Sequence, residues 1–199
     1  SILDDSLKNN DIKFIIDKSK DNETLINLCW TNKKKNMLNG KSVFNYFRKK
    51  VKKDPKKQIL LTTKNFCSDK EDNKYFKDRK RFFWSAGEGY NGTYMVATKN
   101  NKNYYNNQTF FISKFEKDNV VLKDSVLDDC YITIDKKDFL KDFDYSYCMT
   151  AHRSQGSTIS CAYTIHEWEK VKFCNSFRNW RYVVLSRTSN LDKVYIKPY

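Results

Sequence analysis

The sequence predicts an α/β domain: a parallel sheet flanked by helices, with a small antiparallel β piece inserted into it. Two observations carry this. Short apolar runs alternate with helix-spaced runs near both ends of the chain, the texture of strand–helix–strand units whose strands pair in parallel. Between Tyr94 and Ile134, by contrast, four strand-like runs succeed one another with turn residues between them. A chain of 199 residues, 39% hydrophobic and 16% aromatic, has enough apolar material for one domain with such an insertion.

Taken in order, residues 1–24 are charged and weakly patterned, with one apolar stretch at Ile12–Ile16. The chain opens on Ser1, without a methionine, which leads us to expect more polypeptide upstream. Leu25–Trp30 reads as a buried strand. Thr31 or Asn32 suits the N-cap of the next helix, whose Val43, Phe47 and Val51 recur every four residues. The run of cations from Arg48 to Lys57 reads first as a solvated helix end and second as a contact for a polyanion. Lys64–Arg81 is polar, a loop with a short helix expected over Tyr75–Arg81.

Gly87-Glu-Gly-Tyr-Asn-Gly92 spells G-x-G-x-x-G, but the residues directly after it, Thr93–Thr98, have a strand pattern and not that of the helix N-terminus a phosphate site needs. We read it as a turn entering a β segment. Strands are expected at Tyr94–Thr98, Thr109–Phe115, Asn119–Leu122 and Cys130–Ile134, with a hairpin turn at Lys117–Asn119. Phe139, Leu140 and Phe143 predict a short helix that returns the chain to the main sheet. Tyr145–Met149 then leads into a polar loop, Ala162–Ile165 is a second core strand, Asn175–Ser186 a helix, and Val194–Ile196 the last strand.

Charge and cysteine usage narrow the function. The net charge of +14, from 38 Lys+Arg against 24 Asp+Glu, favours a polyanionic partner, although a Lys- and Asn-rich composition also arises from coding bias. The six cysteines form no C-x-x-C pair; four sit among apolar neighbours and are expected to be buried thiols. Cys161, His166 and Cys174 lack a usual zinc spacing, so no metal site is expected. With no signal peptide and no apolar run of membrane-spanning length, the expectation is a reduced, intracellular, membrane-free protein of the nucleus, the cytoplasm or a viral replication site.

Two short pieces carry the chemistry. In Thr150-Ala-His-Arg-Ser-Gln-Gly-Ser-Thr158, His152, Arg153, Ser154 and Gln155 crowd ahead of a glycine, offering side-chain donors and an approachable backbone. In Tyr182-Val-Val-Leu-Ser-Arg-Thr188, an apolar segment carries Arg187 to its tip, the usual way to meet phosphate charge across a cleft. The first piece resembles motif V of superfamily 1 helicases of the RecD and Pif-type branch, T-x-H-K-S-Q-G-S, with Arg153 where lysine is common. Arg181–Ile196 resembles motif VI and the strand after it, and Trp30-Thr-Asn-Lys33 is similar to motif IV.

The resemblance implies the second RecA-like motor domain of such a helicase: residues 1–86 and 137–199 forming the RecA-like part, the latter with motifs V and VI, and residues 87–136 an inserted small β-barrel. Asn106-Asn107 stands where that barrel usually has an N-G pair. By the same resemblance Arg187 is the arginine finger, and Gln155, Gly156 and Ser157 lie at the nucleotide. Thr31, Asn32, Thr150, His152, Arg153 and Ser154 face single-stranded DNA or RNA. Thr158 stands where many relatives have a ribose-binding glutamate.

No full G-x-x-x-x-G-K-S/T phosphate loop is present, since Lys35 stands where the first glycine would precede Gly40-Lys41-Ser42, so ATP and Mg²⁺ would be bound mainly by a first RecA-like domain of the same polypeptide. The implied activity is ATP-driven 5′-to-3′ DNA unwinding. The alternative is a nucleic-acid-binding module that keeps the fold without turnover.

Overall fold

The computed structural model describes residues 24–51, 91–170 and 175–197. The expectations for residues 1–23, for the cations beyond Val51, for the Tyr75–Arg81 helix, for Gly87 and Gly89, and for Cys67 and Cys174 lie outside the described residues. The chain divides into two units, Ser1–Lys35 with Cys148–Tyr199, and Asn36–Tyr147.

The first unit is built on a four-stranded parallel sheet. Its strands are β1 (Ile26–Cys29), β7 (Cys148–Thr150), β8 (Tyr163–Ile165) and β9 (Val194–Ile196), in the spatial order β7-β1-β8-β9. All four residues of β1 and all three of β8 are buried, as expected of inner strands covered on both faces. Among the described residues, two α-helices lie wholly within this unit: the single turn α3 (Ala151–Ser154) and α4 (Phe177–Leu185). On α4, Trp180 and Val184 recur four residues apart and are buried together with Leu185. The Tyr163 hydroxyl donates to the Val184 carbonyl at 2.6 Å, tying the sheet to this helix, and burial holds that phenol well above its ordinary pKa.

A long helix, α1 (Asn32–Val51), leaves the end of β1. Of the two cap candidates the structure uses Thr31: its Oγ1 accepts from the Lys34 amide at 3.2 Å, while its carbonyl accepts from Lys35 at 3.0 Å. Val43 is buried, whereas the side chains of Phe47 and Val51 are outside the described ones.

The second unit holds a five-stranded antiparallel sheet. Its strands are β2 (Tyr94–Ala97), β3 (Thr109–Phe115), β4 (Asn119–Asp124), β5 (Tyr131–Asp135) and β6 (Phe143–Tyr145), in the spatial order β5-β4-β3-β2-β6. This is the antiparallel insertion expected from the sequence, with β5 and β6 at its edges among the described residues. On β4 the buried positions alternate, Val120, Leu122 and Asp124, which is the period-2 pattern of a sheet with one covered face. The expected hairpin turn is present, the Glu116 amide donating to the Asn119 carbonyl at 2.8 Å. Asn107 has φ 70° in the turn before β3, a left-handed conformation that asparagine tolerates. Gly92, at φ 84°, sits in the turn before β2.

Phe143, contrary to expectation, does not belong to the returning helix. That helix, α2 (Lys136–Asp142), is capped by Asp135, and Phe143 opens β6, a fifth strand that pairs with β2 before the chain leaves the unit. The cause is aromatic packing: Phe143 is fully buried, stacked on Phe139 at 5.5 Å and meeting Tyr104 edge-on at 4.8 Å.

The asparagine- and tyrosine-rich connection between β2 and β3 is held from inside. The buried Tyr104 hydroxyl donates to Asp142 Oδ2 at 2.9 Å, and burial together with that carboxylate pushes its pKa up.

Candidate functional site

Parallel pairing places Cys29 opposite Thr150, so the chain leaving β1 and the chain leaving β7 emerge side by side at the carboxyl ends of the strands. Open α/β sheets bind ligands at that end. Two polar segments therefore meet there: Trp30–Asn32 entering α1, and Thr150–Thr158.

The second segment begins with Thr150 in extended conformation, before the α3 turn. His152 is exposed and Arg153 half-buried. Ser154 departs from the expectation of a strand contact: it is fully buried, and its hydroxyl donates to the Ala151 carbonyl at 2.7 Å, closing the turn from within. Gln155, Gly156, Ser157 and Thr158 are all exposed. Gly156 has φ 85° with open space where a side chain would begin, so glycine is needed here for its backbone conformation and not for want of room.

Arg187, just past the end of α4, closes this loop. Its Nε donates to the Val183 carbonyl at 2.8 Å, its Nη1 to the carbonyls of Ser154 at 3.0 Å and Ser157 at 3.2 Å, and its Nη2 to Ser186 Oγ at 2.9 Å. Its own carbonyl accepts from the Ile159 amide at 2.7 Å. Most of the five N–H groups of the guanidinium are thus directed at the loop and at its own helix. The cation stands beside Gln155–Ser157, the segment expected at a nucleotide, while Thr31 and Asn32 stand on the neighbouring strand end.

At the first segment the structure adds a residue that sequence reasoning missed. Glu167 comes just after β8, is buried, and has φ 63°, a left-handed conformation unusual for glutamate. Its Oε2 accepts from the amides of Trp30 at 3.0 Å and Thr31 at 2.9 Å, and its Oε1 from the Thr31 hydroxyl at 2.9 Å and Lys170 Nζ at 3.1 Å. A carboxylate at these amides complements the positive end of α1. Burial pushes its pKa up, but donation from the Thr31 amide and hydroxyl and from Lys170 outweighs this and holds the carboxyl below its ordinary value. The Thr31 hydroxyl is consequently engaged inside the protein, and Asn32 is the exposed member of the pair. In the sequence, the only trace of Glu167 is an acidic residue placed soon after an apolar strand.

Aromatic rings back both segments. Trp30 lies 5.6 Å from His152 and meets Trp180 edge-on at 6.1 Å, and Trp168 lies 6.0 Å from Trp180. Arg181 is held between rings, 3.7 Å from Phe177 and 4.2 Å from Trp168, which makes it a packing cation. His166 is an ordinary buried histidine, its Nε2 2.8 Å from Asn27 Oδ1.

Cysteines divide: Cys29 and Cys148 are buried and Cys130 and Cys161 are exposed, so among the described residues two of the four expected buried thiols are found. Exposed loops, not core strands, hold those two. No cluster of three or more metal-ligating side chains occurs among the described residues, and no described helix is long and apolar enough to cross a membrane.

No family model and no curated protein matches the sequence. Solved structures match it in fold. A structure of two coordinating Pif1 helicases at forked double-stranded DNA aligns with a TM-score of 0.51 at 15% identity, over 96% of this chain and 43% of that one. The Pif1 helicase from Bacteroides in complex with ADP-AlF3 and single-stranded DNA gives 0.52 at 14%, over 96% and 46%. The Pif1 helicase from Candida albicans gives 0.50 at 12%, over 98% and 51%. At these identities the likeness shows the fold, an α/β parallel sheet with an antiparallel sheet, as in Pif1 helicases. The chain spans about half the length of those structures.

Proposed function

We propose that this chain is the second, C-terminal motor domain of a Pif1-like helicase, working with a first RecA-like domain that carries the phosphate loop and the Mg²⁺ ligands. The observation that carries the reading is the junction of Arg187 with the Ser154–Ser157 loop, within a fold otherwise seen in helicases solved with single-stranded DNA and a nucleotide analogue. In this role Arg187 neutralises charge on the phosphoryl group of ATP, and Gln155–Ser157 respond to the state of the nucleotide. His152, Arg153 and Asn32 track the phosphates of single-stranded DNA, and the coupled domains drive 5′-to-3′ unwinding.

Use of Arg187 as a finger requires its N–H groups to leave loop carbonyls for phosphoryl oxygens. Phosphoryl oxygens add ion pairing and bidentate geometry that neutral carbonyls lack, which favours the exchange once nucleotide arrives. A second reading, a nucleic-acid-binding module without turnover, draws its support from the same arginine: here it braces the loop.

The shared core of both readings is tested by titrating a fluorescent single-stranded oligonucleotide with this chain at several salt concentrations. With three or four phosphates neutralised, log K should fall against log salt with a slope of about −2 to −3. A flat response would remove the phosphate-tracking role.

A further inference from the structure

Trp30, His152 and Trp180 wall an open cavity of about 170 Å³ beside the candidate strand track, with Gln155, Ser176 and Asn179 the polar side chains among the rest of its lining. We infer that this cavity receives a single nucleobase, stacked against Trp30 and His152, and so holds a strand by a base as well as by its phosphates. The inference rests on the nucleic-acid reading above and names the ligand chemistry of that same site.

Size comes first. Pockets for whole drug-sized ligands begin at about 300 Å³, so this one suits one planar ring system and not an entire nucleotide. The walls match such a ring. The inclinations between neighbouring rings are 50° for Trp30 with His152, 80° for Trp30 with Trp180 and 56° for Trp168 with Trp180. Neither contact of Trp30 is a parallel stack, and Trp30 is half-buried and His152 exposed, so these two rings keep surface for face-on contact with an inserted base.

Polarity agrees. Gln155, Ser176 and Asn179 are exposed and carry both donors and acceptors, the complement of a base edge. Trp180 is 3% exposed and its indole N–H is closed to solvent, so this ring serves the cavity as an apolar wall. The net charge of +14 selects a polyanion-borne ring over a neutral aromatic ligand.

A base can come from a strand or from a free nucleotide, and three probes separate them: an oligothymidylate, an abasic deoxyribose-phosphate strand of the same length, and the mononucleotides TMP and ATP. Each is titrated against the chain and against Trp30→Ala and Trp30→Phe, reading strand anisotropy and tryptophan fluorescence. Stacking on this scale makes the base-bearing strand bind about ten-fold tighter than the abasic one. Trp30→Ala should erase that difference and leave the salt slope unchanged, while Trp30→Phe keeps most of it. Should Trp30→Ala not fold, the wild-type comparison of the two strands and Trp30→Leu, which keeps bulk without an aromatic face, carry the test.

Mononucleotide quenching that needs Trp30, without any base dependence in strand binding, assigns the pocket to a free nucleotide and overturns the strand-held base. Equal binding of both strands with no mononucleotide quenching overturns the inference, as does an equal loss on both strands in Trp30→Ala. If neither strand binds, the nucleic-acid reading falls on its own, and the mononucleotide titration decides the cavity.

Discussion

The guanidinium of Arg187 donates to the carbonyl of Ser154 at 3.0 Å across 33 residues of chain, so the tip of α4 and the polar loop after β7 are one structural piece. Any ligand that draws the arginine away also releases the loop. In the motor role proposed above, that would carry nucleotide chemistry to a nucleic-acid contact, because His152 and Arg153 sit on the same short turn that Ser154 closes.

Arg187→Ala therefore has two expected effects. In the isolated chain it should cost about 1–2 kcal/mol of stability and speed amide hydrogen exchange at Ser157 and Ile159, since the loop loses its cross-links. In a polypeptide that also contains the first motor domain, it should lower ATP turnover by about 10³-fold with little change in nucleotide affinity. Arg187→Lys should rescue neither effect well, since one ammonium cannot serve a forked set of acceptors. Full turnover in Arg187→Ala, alongside easier unfolding, would leave the arginine only its bracing role.

Glu167→Ala should destabilise the first unit by about 2–3 kcal/mol, because it strips a charged acceptor from two amides and a hydroxyl at the start of α1. Acid should act through the same group. The carboxyls of Glu167 and Asp124 are both held below their ordinary pKa values, so the unfolded chain binds more protons than the folded one between the two sets of values. Their contribution is complete above about pH 4.5 and is lost as pH falls through the folded values. Urea midpoints measured from pH 6 downward should fall in this range, and Glu167→Gln should flatten part of the decline. An identical acid profile for Glu167→Gln would remove the residue from the account.

Asn107→Val should cost about 1–2 kcal/mol, because a β-branched side chain is forced into a left-handed backbone at φ 70°. Asn107→Gly should be tolerated within about 1 kcal/mol. Thermal unfolding of the two variants checks the pair, and a valine variant as stable as the parent would mean that the turn rearranges.

Much was already present in local chemistry. Strands and helices arise from the spacing of apolar residues, which is why β3, α4 and β9 fall within a residue or two of their expected places. The turn residues Asn107 and Gly92 were legible for the same reason, since a left-handed backbone selects its residue types locally.

What the sequence left open is whatever depends on partners distant along the chain. Phe143 was expected in a helix because its neighbours are helical, yet the rings of Tyr104 and Phe139 draw it into a strand. Ser154 carries the same hydroxyl as Ser157, but only tertiary burial turns one inward and leaves the other exposed. Glu167 sits 136 residues from Thr31, and only the parallel pairing of β1 with β8 brings its carboxylate to that helix end. The sequence by itself determined which segments could be strands, helices and polar loops, and which residue types could meet phosphate. Only the tertiary structure decided which hydroxyls, cations and rings are engaged inside the fold and which remain for a ligand, because a side chain's free valences depend on what packs against it.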